Sequence, residues 1–102
     1  MTKPTGHAVG EIEVERVQTG VRIEKRILKV LKGIAEYHDL SLGDLLEGIV
    51  LHAFEGKAPF GPESRRVIAE LRKVYGLDLD ATASHRLREK EPSDPVARRR
   101  RS

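Results

Sequence analysis

His7, His38, His52 and His85 are the side chains best suited by type to hold a metal or move a proton, and their spacing speaks against both. They are scattered along the chain, and His38 stands directly beside Asp39, where neighbours on a regular element diverge instead of converging on one ion. His52 falls in an apolar helical stretch and reads as a helix-surface or interface residue. The chain has no cysteine, so disulfides and thiolate zinc sites are excluded. Gly56-Lys57 lacks the upstream glycine and the following Ser or Thr of a phosphate-binding loop. No nucleophile stands out beside a base, and acids without geometry do not indicate catalysis. The residues give no reason to expect an enzyme, a metal or a cofactor.

Charge offers a different chemistry. Arg16 to Lys32 holds Arg16, Arg22, Lys25, Arg26, Lys29 and Lys32 against the single acid Glu24. Glu36 to Glu55 holds Glu36, Asp39, Asp44, Glu47 and Glu55 with no Lys or Arg. The formal net charge is +3, but Arg98 to Arg101 carry four positive charges, which leaves −1 for the remainder. A basic zone of this kind attracts phosphate, although a solvated helix face has the same composition. The arginine run itself would add salt-sensitive affinity for nucleic acid or for an acidic partner.

The elements that must position these charges follow from periodicity. Residues 1–15 are expected to form a flexible acidic N-terminal arm, with Glu11, Glu13 and Glu15 in an alternating EIEVE stretch. From Val17 the apolar phase becomes odd, Val17, Thr19, Val21 and Ile23, which predicts a short strand. Ile27, Leu28, Leu31, Ile34 and Ala35 then recur at helical spacing to about Tyr37. Ser41 is a good N-cap, with Asp44 three residues on as a shortened capping box, for a second helix from Leu42 to about Phe54. The apolar stripe of that helix is wide, so more than one neighbour should cover it. Pro62 suits the first position of a third helix and Gly76 its C-cap. A short helix within Asp80 to Lys90 is a further expectation. These elements divide the chain into the arm, a core at 16–56, a helical extension at 57–90 and a disordered basic tail at 91–102. No apolar run approaches the roughly 20 residues that span a bilayer, so a cytoplasmic protein without a membrane partner is expected.

A strand needs a partner for its backbone groups. Folding Val17–Ile23 back on the preceding residues sets apolar residues opposite charged ones. Pairing it antiparallel with a second copy about Gly20 sets Val17 against Ile23 and Thr19 against Val21, with Gln18 meeting Arg22 on the polar face. Strand, amphipathic helix, short turn and Ser-capped apolar helix, from Val17 to Phe54, resemble the ribbon-helix-helix family of Arc-type and methionine-repressor-like DNA-binding proteins. The resemblance implies a mainly α intertwined homodimer with a two-stranded antiparallel ribbon plus a C-terminal helix.

It also implies roles. The base-reading positions of the ribbon would fall on Gln18, Gly20 and Arg22, of which Gly20 has no side chain to read with. The phosphate-binding positions would fall on Ser41, Leu42 and Gly43 at the second helix's N-terminus, with Lys25 and Arg26 flanking. Asp39 stands in the interhelical turn where family members often have Gly. The function implied is a dimeric, sequence-specific reader of double-stranded DNA and a transcriptional regulator. Two alternatives keep the fold: an interaction scaffold without DNA binding, favoured by Gly20 and the acidic arm, and an antitoxin-like protein that binds a partner through residues 62–90.

Overall fold

The computed structural model describes residues 10–90. Three helices form where the periodicity places them: α1 (Lys25–Tyr37), α2 (Leu42–Phe54) and α3 (Pro62–Tyr75). Each boundary has a local cause. Glu24 caps α1, its Oε1 accepting from the Ile27 amide at 2.9 Å. Ser41 Oγ accepts from the Asp44 amide at 3.1 Å and so satisfies one of the first free N–H groups of α2. Pro62 opens α3, and Gly76 closes it in the left-handed conformation, with the Leu77 amide reaching back to the Arg72 carbonyl at 2.9 Å. Asp39 does the same work between α1 and α2 at φ 60°, and the Leu40 amide bonds the Ala35 carbonyl at 2.8 Å.

α1 is the central helix, packed against α3 and, over less of its length, against α2. Ile34, Ala35 and Leu45 form the centre of the core, with Leu31, Ile49, Phe60, Val67, Ile68 and Leu71 partly buried around them. Gly33 permits the close approach of α3. A Cβ on it would lie 2.9 Å from both Leu71 methyl carbons. The core is small, and α2 contributes one buried side chain to it, Leu45.

The ribbon is not there. Among the described residues no β-strand forms, and Val17–Ile23 is irregular backbone in an arm that runs from 11 to 24. The reason is the one that made the strand conspicuous. Among the described residues its backbone groups have no strand to pair with, so nothing holds them extended against solvation by water. The expected ribbon-helix-helix fold, with its two-stranded ribbon and intertwined dimer, is therefore corrected, for the described residues, to a small bundle of the helices α1, α2 and α3. The short helix expected within residues 80–90 is a single 3₁₀ turn, Ala81–Ala83, capped by Asp80 through the Thr82 amide at 3.0 Å. The expectations for the leader before Gly10 and for the tail at 91–102 lie outside the described residues.

Candidate interaction surface

The outer side of α2 is built from residues that the core does not use. Leu45 and Ile49 turn inward to α1. Next to them around the helix Leu46, Val50 and Phe54 follow one another at four-residue spacing, and Leu51 lies beside Phe54. Val50 is 43% exposed, Leu51 62% and Phe54 80%. Large apolar side chains on one helical stripe and open to water are the informative exception in a small domain, because single exposed residues are common and contiguous patches are not.

A carboxylate sits within that stripe. Glu47 follows Leu46, one turn before Leu51, and Arg16 of the N-terminal arm closes on it. Arg16 Nε donates to Glu47 Oε2 at 2.8 Å and Nη2 to Oε1 at 2.8 Å, a two-pronged contact. Nη2 also donates to Asp44 Oδ1 at 3.3 Å. The hydrogen bond from Arg16 holds the Glu47 carboxyl below its ordinary range, and the same bond pushes Arg16 up. Arm and helix together enclose an open groove of about 500 Å³, lined by Ile12, Val14, Leu46, Val50 and Leu51 around the Arg16–Glu47 pair. Ile12 and Val14 stay 83% and 60% exposed although they face this groove, so the arm does not pack down into it.

Two other clusters lie elsewhere. Between α1 and α3, Lys29 Nζ stands 5.4 Å from the Tyr75 ring centre, above an open depression shared with Lys25, Arg26 and Val74. At the other end of these helices, Tyr37 donates its hydroxyl to Glu63, which raises the tyrosine's pKa. His38 Nε2 lies 2.8 Å from Ser64 Oγ, and the Tyr37 ring meets the His38 ring edge-on. That serine–histidine contact joins residues 26 apart in sequence, and no local pattern announces it. Its geometry is that of a tie between α1 and the start of α3. Among the described residues no group of three or more His, Cys, Asp or Glu is arranged to hold a metal, and no helix is long and apolar enough to cross a membrane.

The residues given base-reading and phosphate roles are spread over three elements. Gln18, Gly20 and Arg22 lie exposed on the arm, and Arg22 Nε donates to Glu89 at 3.0 Å. Arg26 is occupied inside the fold, donating to Glu24 at 2.9 Å, to the Gly76 carbonyl at 3.0 Å and to Asp78 at 3.1 Å. Lys25 starts α1. Ser41 caps α2, and Leu42 and Gly43 form its first turn. With no strand pair among the described residues to enter a groove, the sequence-specific, double-stranded DNA reader is corrected together with the ribbon. The regulator, scaffold and antitoxin-like readings all assumed that fold and fall with it. Sequence reasoning assigns no site role to Arg16, Glu47, Leu51 or Phe54. The opposed charge zones were the available signal for the first pair, and the wide apolar stripe of α2 for the second. No family model, curated protein or solved structure matched this chain.

Proposed function

We propose that this chain is a helical protein-interaction module that takes an amphipathic segment of a partner protein on the outer face of α2, and that it acts by binding, not by catalysis. The observation that carries this reading is the stripe itself: Phe54 at 80% and Leu51 at 62% exposure beside Val50, on a helix that places only Leu45 fully inside. Covering a side chain of this size is worth about 1.5–3 kcal/mol, so a partner that covers several gains a substantial driving force. The chemistry of the partner follows from the rim. Asp44 and Glu47 lie at the stripe, and the acidic stretch from Glu36 to Glu55 has no cation of its own. The matching segment is therefore apolar on one side with Arg or Lys among the apolar residues. A cytoplasmic setting fits the cysteine-free composition.

Selection from a displayed library of helix-forming peptides, with the full chain as bait, tests this. Enriched peptides should carry apolar residues at three- and four-residue spacing with at least one Arg or Lys between them. Phe54→Asp and Leu51→Asp should each weaken the enriched peptides by roughly tenfold or more, the size of an interface hot spot, while the helical circular dichroism is unchanged. Enrichment indifferent to both substitutions would overturn the reading. So would sedimentation showing that a second copy of the chain already covers the stripe.

A further inference from the structure

We infer that residues 11–16 form a displaceable strap over the α2 groove, in which Arg16 occupies in cis the carboxylate pair that a partner's cation would take. This rests on the reading of α2 as the binding face, and it adds how that face is regulated. Three observations carry it. Arg16 makes with Glu47 and Asp44 the two-pronged contact that an incoming arginine would make, at 2.8, 2.8 and 3.3 Å. The apolar residues that flank it on the arm, Ile12 and Val14, face the groove without filling it and remain 83% and 60% exposed. The three side chains of this contact are themselves open to water, 62% for Arg16, 52% for Asp44 and 47% for Glu47.

An attachment of that kind is screened by salt and opens at little cost. A strap sealed by apolar packing would not. Gly20 lies behind Arg16, and a Cβ built on it would meet nothing within 4 Å. The consequence for binding is competition. The apparent affinity for an apolar, basic segment is reduced by the fraction of molecules with the strap closed, and removing the arginine removes that reduction.

The strap can be measured with no partner present. Because the chain has no cysteine, Glu13→Cys gives a single attachment point for a nitroxide on the full-length protein. At low salt the amide signals of Leu46 to Leu51 should be broadened by the nitroxide. The broadening should fall several-fold in 1 M sodium chloride, and equally in an Arg16→Gln background at low salt, while α3 amides keep their shifts. Arg16→Lys should restore part of it. Absence of broadening in the parent chain, or broadening that survives Arg16→Gln, would overturn the strap. A failed peptide selection with the broadening present would instead overturn the binding face and leave the strap standing.

Discussion

Arg16, Glu47 and Asp44 show how much a few exposed side chains decide here. A lone carboxylate on an apolar stripe would weaken any interface that buried it, unless the cover brought a positive charge. Arg16 supplies that charge from within the chain, and its hydrogen bond holds the Glu47 carboxyl below its ordinary range. The sign of the resulting pH dependence is fixed. With the arm detached Glu47 titrates near its ordinary value of 4.5, and with the arm attached it titrates lower, so attachment is fully supported above about pH 4.5 and is lost as the pH falls through the lower value. Arg16 stays charged throughout. Nitroxide broadening of α2 from the arm should accordingly be flat from pH 8 to 5 and decline below, and Glu47→Gln should abolish the acid dependence. A second residue-scale prediction concerns Asp39, held at φ 60° where a Cβ is disfavoured. Asp39→Gly should stabilise the fold by about 0.5 kcal/mol, the relief of the left-handed strain being partly cancelled by glycine's greater unfolded freedom. Urea denaturation reads this directly, and a loss of stability would show that the Asp39 side chain contributes more than its backbone costs.

At the scale of elements, what was legible in the sequence and what was not divides along local and non-local information. The helices were legible because each is specified within its own turn: Ser41 before Leu42, Pro62 at the opening of α3, Gly76 at its close. The wide apolar stripe of α2 was legible too, but the expectation that more than one neighbour covers it was not met: among the described helices only α1 packs against α2, and Val50, Leu51 and Phe54 stay exposed. The arm was not. Val17, Thr19, Val21 and Ile23 alternate as a strand does, but alternation specifies a strand only where something lies beside it. Among the described residues nothing does, and Val17 and Val21 stay 82% and 74% exposed. The error propagated to the site, because every base-reading role depended on a ribbon. The contacts that define the observed surface, Arg16 with Glu47 and Asp44, span 31 and 28 residues, and periodicity carries no information at that range.

At the scale of the whole molecule, three short helices around Ile34 and Ala35 make a thin core, and burial in a domain this size leaves little margin. Much of the chain's large apolar surface remains outside it, on α2 and on the arm. A partner on α2 would extend the core outward from Leu45 around the helix to its exposed stripe, so binding and stability should be linked and a bound peptide should raise the melting temperature. The α1–α3 patch around Lys29 and Tyr75 makes a contrasting expectation, since Lys29 is already engaged with Tyr75, and Arg26 with Glu24 and Asp78.

The most direct measurement is therefore a map of amide shift changes on the full chain, titrated with a peptide that presents an apolar helical stripe and one arginine. Binding on the outer face of α2 predicts changes concentrated on Leu46, Glu47, Val50, Leu51 and Phe54 and on the arm around Arg16. Changes centred instead on Lys29 and Tyr75, or no saturable change at all, would contradict it.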